Sequence, residues 1–160
     1  MMRGTYSPAR LEQRIRGVVA SGTEVGLLVS VIARQSRELA LHDASEMISR
    51  LNPQSRESNR EFARKSDSVG FRRNFELADN GESEWLTDTL WTGAIPYLGA
   101  PAIALVGSAE EITNAILEYK RIGISQFLFM GWPDREEMLF FGREILPAIR
   151  EQEARIEICA

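Results

Sequence analysis

The chain has 160 residues, 44% of them hydrophobic and 26% charged, the composition of a single globular domain with a real core. Disordered, collagen-like and mucin-like chains are excluded. With 19 basic against 23 acidic residues the net charge is -4, which argues against nucleic acid as the main partner. Cys159 and His42 are the only cysteine and histidine, so neither an intrachain disulfide nor a cysteine-based zinc site can form, and no metal is expected. The N-terminal MMRGTYSPAR has no apolar signal region and no apolar run is long enough to span a bilayer, so a soluble, cytoplasmic protein is the expectation.

The pattern predicts four helices, three strands and one long irregular stretch. A helix is expected from about Pro8 to Val19, with Ser7 at its N-cap and Pro8 at its first position. Val25 to Ala33, VGLLVSVIA, is a nearly continuous apolar run rich in β-branched residues, and reads as a parallel strand buried on both faces. Ser36 can cap a second helix to about Leu51, with Ala40, Ala44, Met47, Ile48 and Leu51 on one stripe. Asn52-Pro53 stops it and can cap the next segment. Residues 53–78 are polar and compatible with helix, with a thin apolar stripe interrupted at Gly70. Residues 79–102, with Gly81, Trp85, Trp91, Pro96 and Tyr97, read as a long aromatic loop of the kind that forms lids.

The last third is plainer. Ile103 to Gly107 is a short buried strand, and Ser108 with Glu111 forms a capping box for a helix to about Ile122. Gly123 suits the helix's C-terminal turn, and Ser125 to Gly131 is a third strand. Asp134 and Glu137 repeat the capping pattern before a last helix that Pro147 should end or kink near Leu146. Strand, helix and strand across 103–131 make a βαβ unit, and the whole chain reads as α/β with a parallel sheet. The repeated strand and capped helix resemble a (β/α) barrel, but a complete barrel takes about 250 residues.

No catalytic constellation stands out. The Gly107-Ser108 turn could hold an anion, but Glu110 and Glu111 repel one. Ser30 is the one polar residue inside an apolar strand, and Trp132 follows the third strand at the edge where parallel α/β sheets bind ligands. Arg56, Arg60, Arg64, Lys65, Arg72 and Arg73 could reach an anion, yet Glu57, Glu61 and Asp67 are interleaved, as on a solvated helix face. His42 reads as a surface residue.

The stretch ALVGSAEEITNAILEYKRIGISQFLFMGWPDREEMLFFGREILPAIRE resembles the C-terminal end of the bacterial luciferase-like flavin-dependent monooxygenases, nearest their alkanesulfonate branch. GLLVSVIARQSRELA, SDSVGFRR and DTLWTGAIPYLGAPAIALVG resemble further stretches of that family in the same order, so the likeness runs from about Tyr6 to Glu151. The resemblance implies an incomplete (β/α)8 TIM barrel. Residues 1–152 would carry its last three parallel strands, with an insertion at 53–102, residues 153–160 would be a tail, and the first five strands would lie before Met1. It implies reduced FMN, FMNH2, supplied by a separate flavin reductase, and oxygenation of a small organic substrate through a peroxyflavin. Ser30, Trp91, Tyr97 and Trp132 would line the flavin and substrate pocket, with no acid-base residue assigned. The sulfonate branch carries Arg-x-His where Leu28 and Ser30 stand here, arginine at Leu98 and tyrosine at Trp132, so a sulfonate would lack its cations. The alternative is a non-catalytic barrel remnant that pairs with a second copy or with a chain supplying the missing strands.

Overall fold

The computed structural model describes residues 2–3, 7–80, 83–99 and 101–159. Gly81, Ala100 and the N-terminal Tyr6, which entered the reading above, lie outside them, as does the side chain of Cys159. In chain order the elements are β1 (Met2–Arg3), α1 (Pro8–Ala20), β2 (Val25–Arg34), α2 (Arg37–Ser49), α3 (Pro53–Lys65), α4 (Val69–Asn80), β3 (Leu90–Trp91), α5 (Ile95–Leu98), β4 (Ala104–Ser108), α6 (Ala109–Arg121), β5 (Ile124–Gly131) and α7 (Asp134–Phe140), then a π-helical turn (Phe141–Ile145) and α8 (Leu146–Cys159).

β2 organises the sheet. Along one edge β5 runs parallel to it, from Val25 opposite Ile124 to Val31 opposite Gly131. Along the other edge β1 pairs with Leu27 and Leu28, and β4 runs parallel over Ser30 to Arg34. β3 then adds to β4 antiparallel, with Leu90 opposite Leu105. The parallel α/β expectation holds, but the strand order differs from an arc of a barrel, where consecutive strands are neighbours. Here β5 returns past β4 to lie beside β2.

That order answers the apolar sequence of β2. Alternate side chains face opposite ways, and both faces need cover. Val25, Leu27, Val29, Val31 and Ala33 pack with Leu11 and Ile15 of α1, Ile112 and Ile116 of α6, and Phe141, Ile145 and Ile149 near the C-terminus. Ile32, with Ala104 and Val106, packs instead under Ala40 and Ala44 of α2. In a closed barrel other strands would cover this second face. Here the connections from β2 to β4 and from β4 to β5 run in opposite directions, which puts α2 and α6 on opposite faces for crossovers of one hand.

Three of the caps that the sequence signals form their side-chain bonds, while Ser7 holds the N-cap position of α1 without one. The Ser36 hydroxyl accepts from the Leu39 N–H and Asn52 Oδ1 from the Gln54 N–H. Ser108 and Glu111 make both bonds of the capping box, at 2.8 and 3.2 Å. Gly123 has φ of 103°, and a side chain there would also run into Val19. Three details differ. Residues 53–80 form two helices broken at Ser66–Ser68 rather than at Gly70, because Ser68 Oγ accepts the Phe71 N–H and restarts the helix. The aromatic stretch carries β3 and α5. Pro147 does not end the last helix: the preceding π turn shifts the backbone bonds, so that the Leu146 N–H reaches the Phe141 carbonyl, and α8 continues to Cys159 through the stretch expected as a tail. Among the described residues no helix is long and apolar enough to cross a membrane.

Candidate functional site

The carboxyl ends of parallel strands are where open α/β sheets bind ligands. At that edge, between the end of β2, the Trp132-Pro133 turn after β5 and helix α2, lies a cavity of about 600 Å³. Its apolar walls are Met47, Leu51, Leu98 and Trp132. Arg34, Arg50, Asp43, Glu46 and Asp134 supply its charges.

Arg34 is the polar centre of this end. Its Nε donates to Asp43 Oδ2 at 2.5 Å, and its Nη1 donates to Glu137 Oε2 and to the Ala33 carbonyl, each at 2.6 Å. Glu137 is 1% exposed. Its other oxygen accepts the Ala33 N–H at 2.7 Å. The pairing of β5 with β2 ends at Val31, so this carboxylate takes over the β2 edge just beyond the last strand pair. Burial pushes the Glu137 carboxyl above the usual carboxylate range, further than the Ala33 N–H and Arg34 pull it down. Burial also works against the Arg34 charge, but the hydrogen bonds of Asp43 and Glu137 outweigh it and hold the guanidinium above its ordinary value.

Gly131 makes the arrangement fit. A Cβ there would stand 2.4 Å from Glu137 Cβ. The expected capping role of Asp134 and Glu137 is therefore replaced: Pro133 holds the N-cap position without a side-chain bond, and Glu137 turns inward to β2. The Trp132-Pro133 peptide is cis.

Of the four residues expected at a pocket, Trp132 lines the cavity. Ser30 and Trp91 are buried instead, at 0% and 3% exposure. The Ser30 hydroxyl has no hydrogen-bond partner among the described residues. Trp91 packs with Ile32 and Ala104 and donates from its ring N–H to Glu84 at 3.2 Å. Gly93 leaves room for its ring, which a Cβ would meet at 2.5 Å. Tyr97 sits on α5, where its carbonyl accepts from Asn59 of α3 at 2.7 Å, and its neighbour Leu98 reaches the cavity. Arg34 and Glu137 carry no site signal in the sequence, since Glu137 bonds a strand far from it along the chain. His42, Asp43 and Glu46 place one ligand atom each within 4.8 Å of one another on α2, but Asp43 is held by Arg34 and Glu46 by Arg50.

Comparison with known proteins gives the fold a context. No protein-family profile matches the chain. A sulfoquinovose monooxygenase of Agrobacterium fabrum is 31% identical over 130 residues, covering 79% of this chain and 33% of that protein. The chain thus spans about a third of the length of this curated relative. The crystal structure of a riboflavin lyase with modified FMN and substrate riboflavin superposes at a TM-score of 0.60 and 17% identity, over 91% of this chain and 37% of that one. The chain is similar in sequence to a monooxygenase, and it shares a fold with a flavin-handling enzyme.

Proposed function

We propose that this chain is the C-terminal part of a luciferase-like, FMNH2-dependent monooxygenase, and that the cavity beside Trp132 takes part in its flavin and substrate pocket. The observation that carries this reading is the position of that cavity, at the carboxyl ends of the parallel strands of a chain similar to a monooxygenase. Its volume suits a flavin ring, and Trp132, Leu98, Met47 and Leu51 offer the flat apolar walls a ring needs. The phosphate fits less well here. Arg34 and Arg50 are already paired with Asp43, Glu137 and Glu46, so the phosphate's cations come from elsewhere in the whole protein.

When bound, reduced flavin supplies the electrons that activate dioxygen. This chain's share is to stack the ring on Trp132, exclude water with Leu98 and Met47, and keep the strand ends rigid through Arg34 and Glu137. The substrate is a small organic molecule. Leu28, Ser30 and Leu98 stand where the alkanesulfonate branch carries its cations, so kinship with that branch does not bring its anionic substrate. A separate reductase would deliver FMNH2.

A second reading has its own observation. β5 is an eight-residue strand without a charged residue, its outer edge is unpaired among the described residues, and Leu128 is 49% exposed. Such an edge suits pairing with a second copy, or with a chain that completes the sheet. Anaerobic fluorescence titration with FMN and FMNH2, with the mass in solution recorded alongside, separates the two. Saturable binding that weakens about tenfold in Trp132→Ala supports the pocket. A well-folded dimer without flavin binding overturns it in favour of pairing.

A further inference from the structure

We propose a second, separate binding site, for a small tetrahedral oxyanion such as a phosphate monoester or a sulfonate, between helices α3 and α4. The arginines at 56, 60 and 64 are spaced four apart and share one face of α3. The structure brings Arg60 and Arg64 of that face together with Arg72 of α4 around a cavity of about 180 Å³. Its floor is apolar, made by the buried Ala63 and Phe75. The space suits one phosphate-sized group.

The charges around it are divided in a way that leaves an anion site. Arg60 is committed: its Nε and Nη2 grip Asp79 Oδ2 and Oδ1 at 2.9 and 2.8 Å, a two-pronged bond that ties α3 to α4 and forms one wall. That bond neutralises Asp79. Arg64 has only a long contact with Glu57, at 3.4 Å, between two side chains that are each 69% exposed. The Arg72 guanidinium has no hydrogen bond or ion pair among the described residues. Two cations therefore face the cavity essentially uncommitted, opposed by Glu76 and by Asp79, whose charge Arg60 offsets. Guanidinium forks grip paired oxygens, and two of them from different helices around so small a space suit the several oxygens of a phosphate or sulfonate. The site shares no lining residue with the cavity beside Trp132, so it stands or falls apart from the flavin reading.

The test is a titration of the full chain with inorganic phosphate at constant ionic strength, followed by amide chemical shifts. The expected result is saturable shifts confined to residues 60–79. Binding should weaken about tenfold in Arg72→Gln and in Arg64→Gln, the loss of one charged hydrogen-bond donor, and stay unchanged in the surface variant Arg143→Gln. Methyl phosphate and methanesulfonate as separate ligands tell which oxyanion is preferred. Shifts that do not saturate overturn the proposal. So does phosphate binding that Arg72→Gln and Arg64→Gln leave intact in variants melting at the parent temperature.

Discussion

Two arginine–carboxylate pairs of nearly equal length hold two parts of this molecule, and their carboxylates titrate in opposite directions. Arg34 and Glu137 meet at 2.6 Å at the end of the central strand, and Arg60 and Asp79 at 2.8 Å between two surface helices. Burial lifts the Glu137 pKa, whereas the Arg60 hydrogen bond lowers that of Asp79. The difference lies in solvent. The Glu137 side chain is fully enclosed, so its charge loses water that one arginine and one N–H do not fully replace. Asp79 keeps contact with water and gains a partner at small cost. A short ion pair is therefore no measure of stability by itself.

The largest effect should follow from deleting the buried carboxylate. Glu137→Ala removes the acceptor of the Ala33 N–H, leaves Arg34 with Asp43 as its one carboxylate partner and opens a void beside Gly131. We expect a loss of about 3 kcal/mol in urea unfolding. A loss close to zero would show that the strand end does not depend on this carboxylate. Gly131→Ala tests the same spot from the other side. Its Cβ would stand 2.4 Å from Glu137 Cβ, so α7 must shift, at about 2 kcal/mol.

Glu137→Gln isolates the charge. The amide oxygen can still accept the Ala33 N–H, so the strand end stays closed. Because the folded pKa is raised, the folded state holds the proton better than the unfolded chain. Stability from this group is greatest below the ordinary glutamate value near 4.5 and falls as pH rises through the raised folded value. The glutamine variant should lose that downward slope, which melts between pH 4 and 8 would read.

The contrast also marks what the sequence makes legible. Local signals carry through: Ser36, Asn52, Ser108 with Glu111, and Gly123 each behave as their neighbours in sequence require. Strand identity is legible as well, because VGLLVSVIA and SQFLFMG are apolar runs with strand-like composition. Strand order is not, since periodicity says which faces are buried but not what lies beside them. The same limit hides Glu137. Its place three residues after Asp134 reads as the far half of a capping box, and only the folded chain brings the free N–H of Ala33 to it. It also hides the difference among the aromatics: Trp91 and Trp132 look alike in sequence, yet one packs under the sheet's small residues and the other walls a cavity. Arg72 and Arg64 belong to one charge run in sequence, and only the pairing of α3 with α4 places them at one opening.

The smallest effect on stability should come from the surface pair, and it sharpens both the comparison and the anion site. Asp79→Asn should move the melting temperature at neutral pH by no more than about 1 °C. Its pH dependence must have the sign opposite to that of Glu137. With a lowered folded pKa, the contribution of Asp79 is present above the ordinary aspartate value near 3.8 and is lost as pH falls through the depressed folded value. Parent and variant should therefore converge in acid, in melts taken from pH 7 down to 2. The same substitution releases Arg60 from its two-pronged bond and removes a negative charge from the wall of the α3–α4 cavity. Phosphate should then bind a few times more tightly than to the parent. A variant that melts like the parent yet binds phosphate no better would mean that Arg60 does not turn toward the cavity when freed, and that Arg64 and Arg72 alone set its affinity.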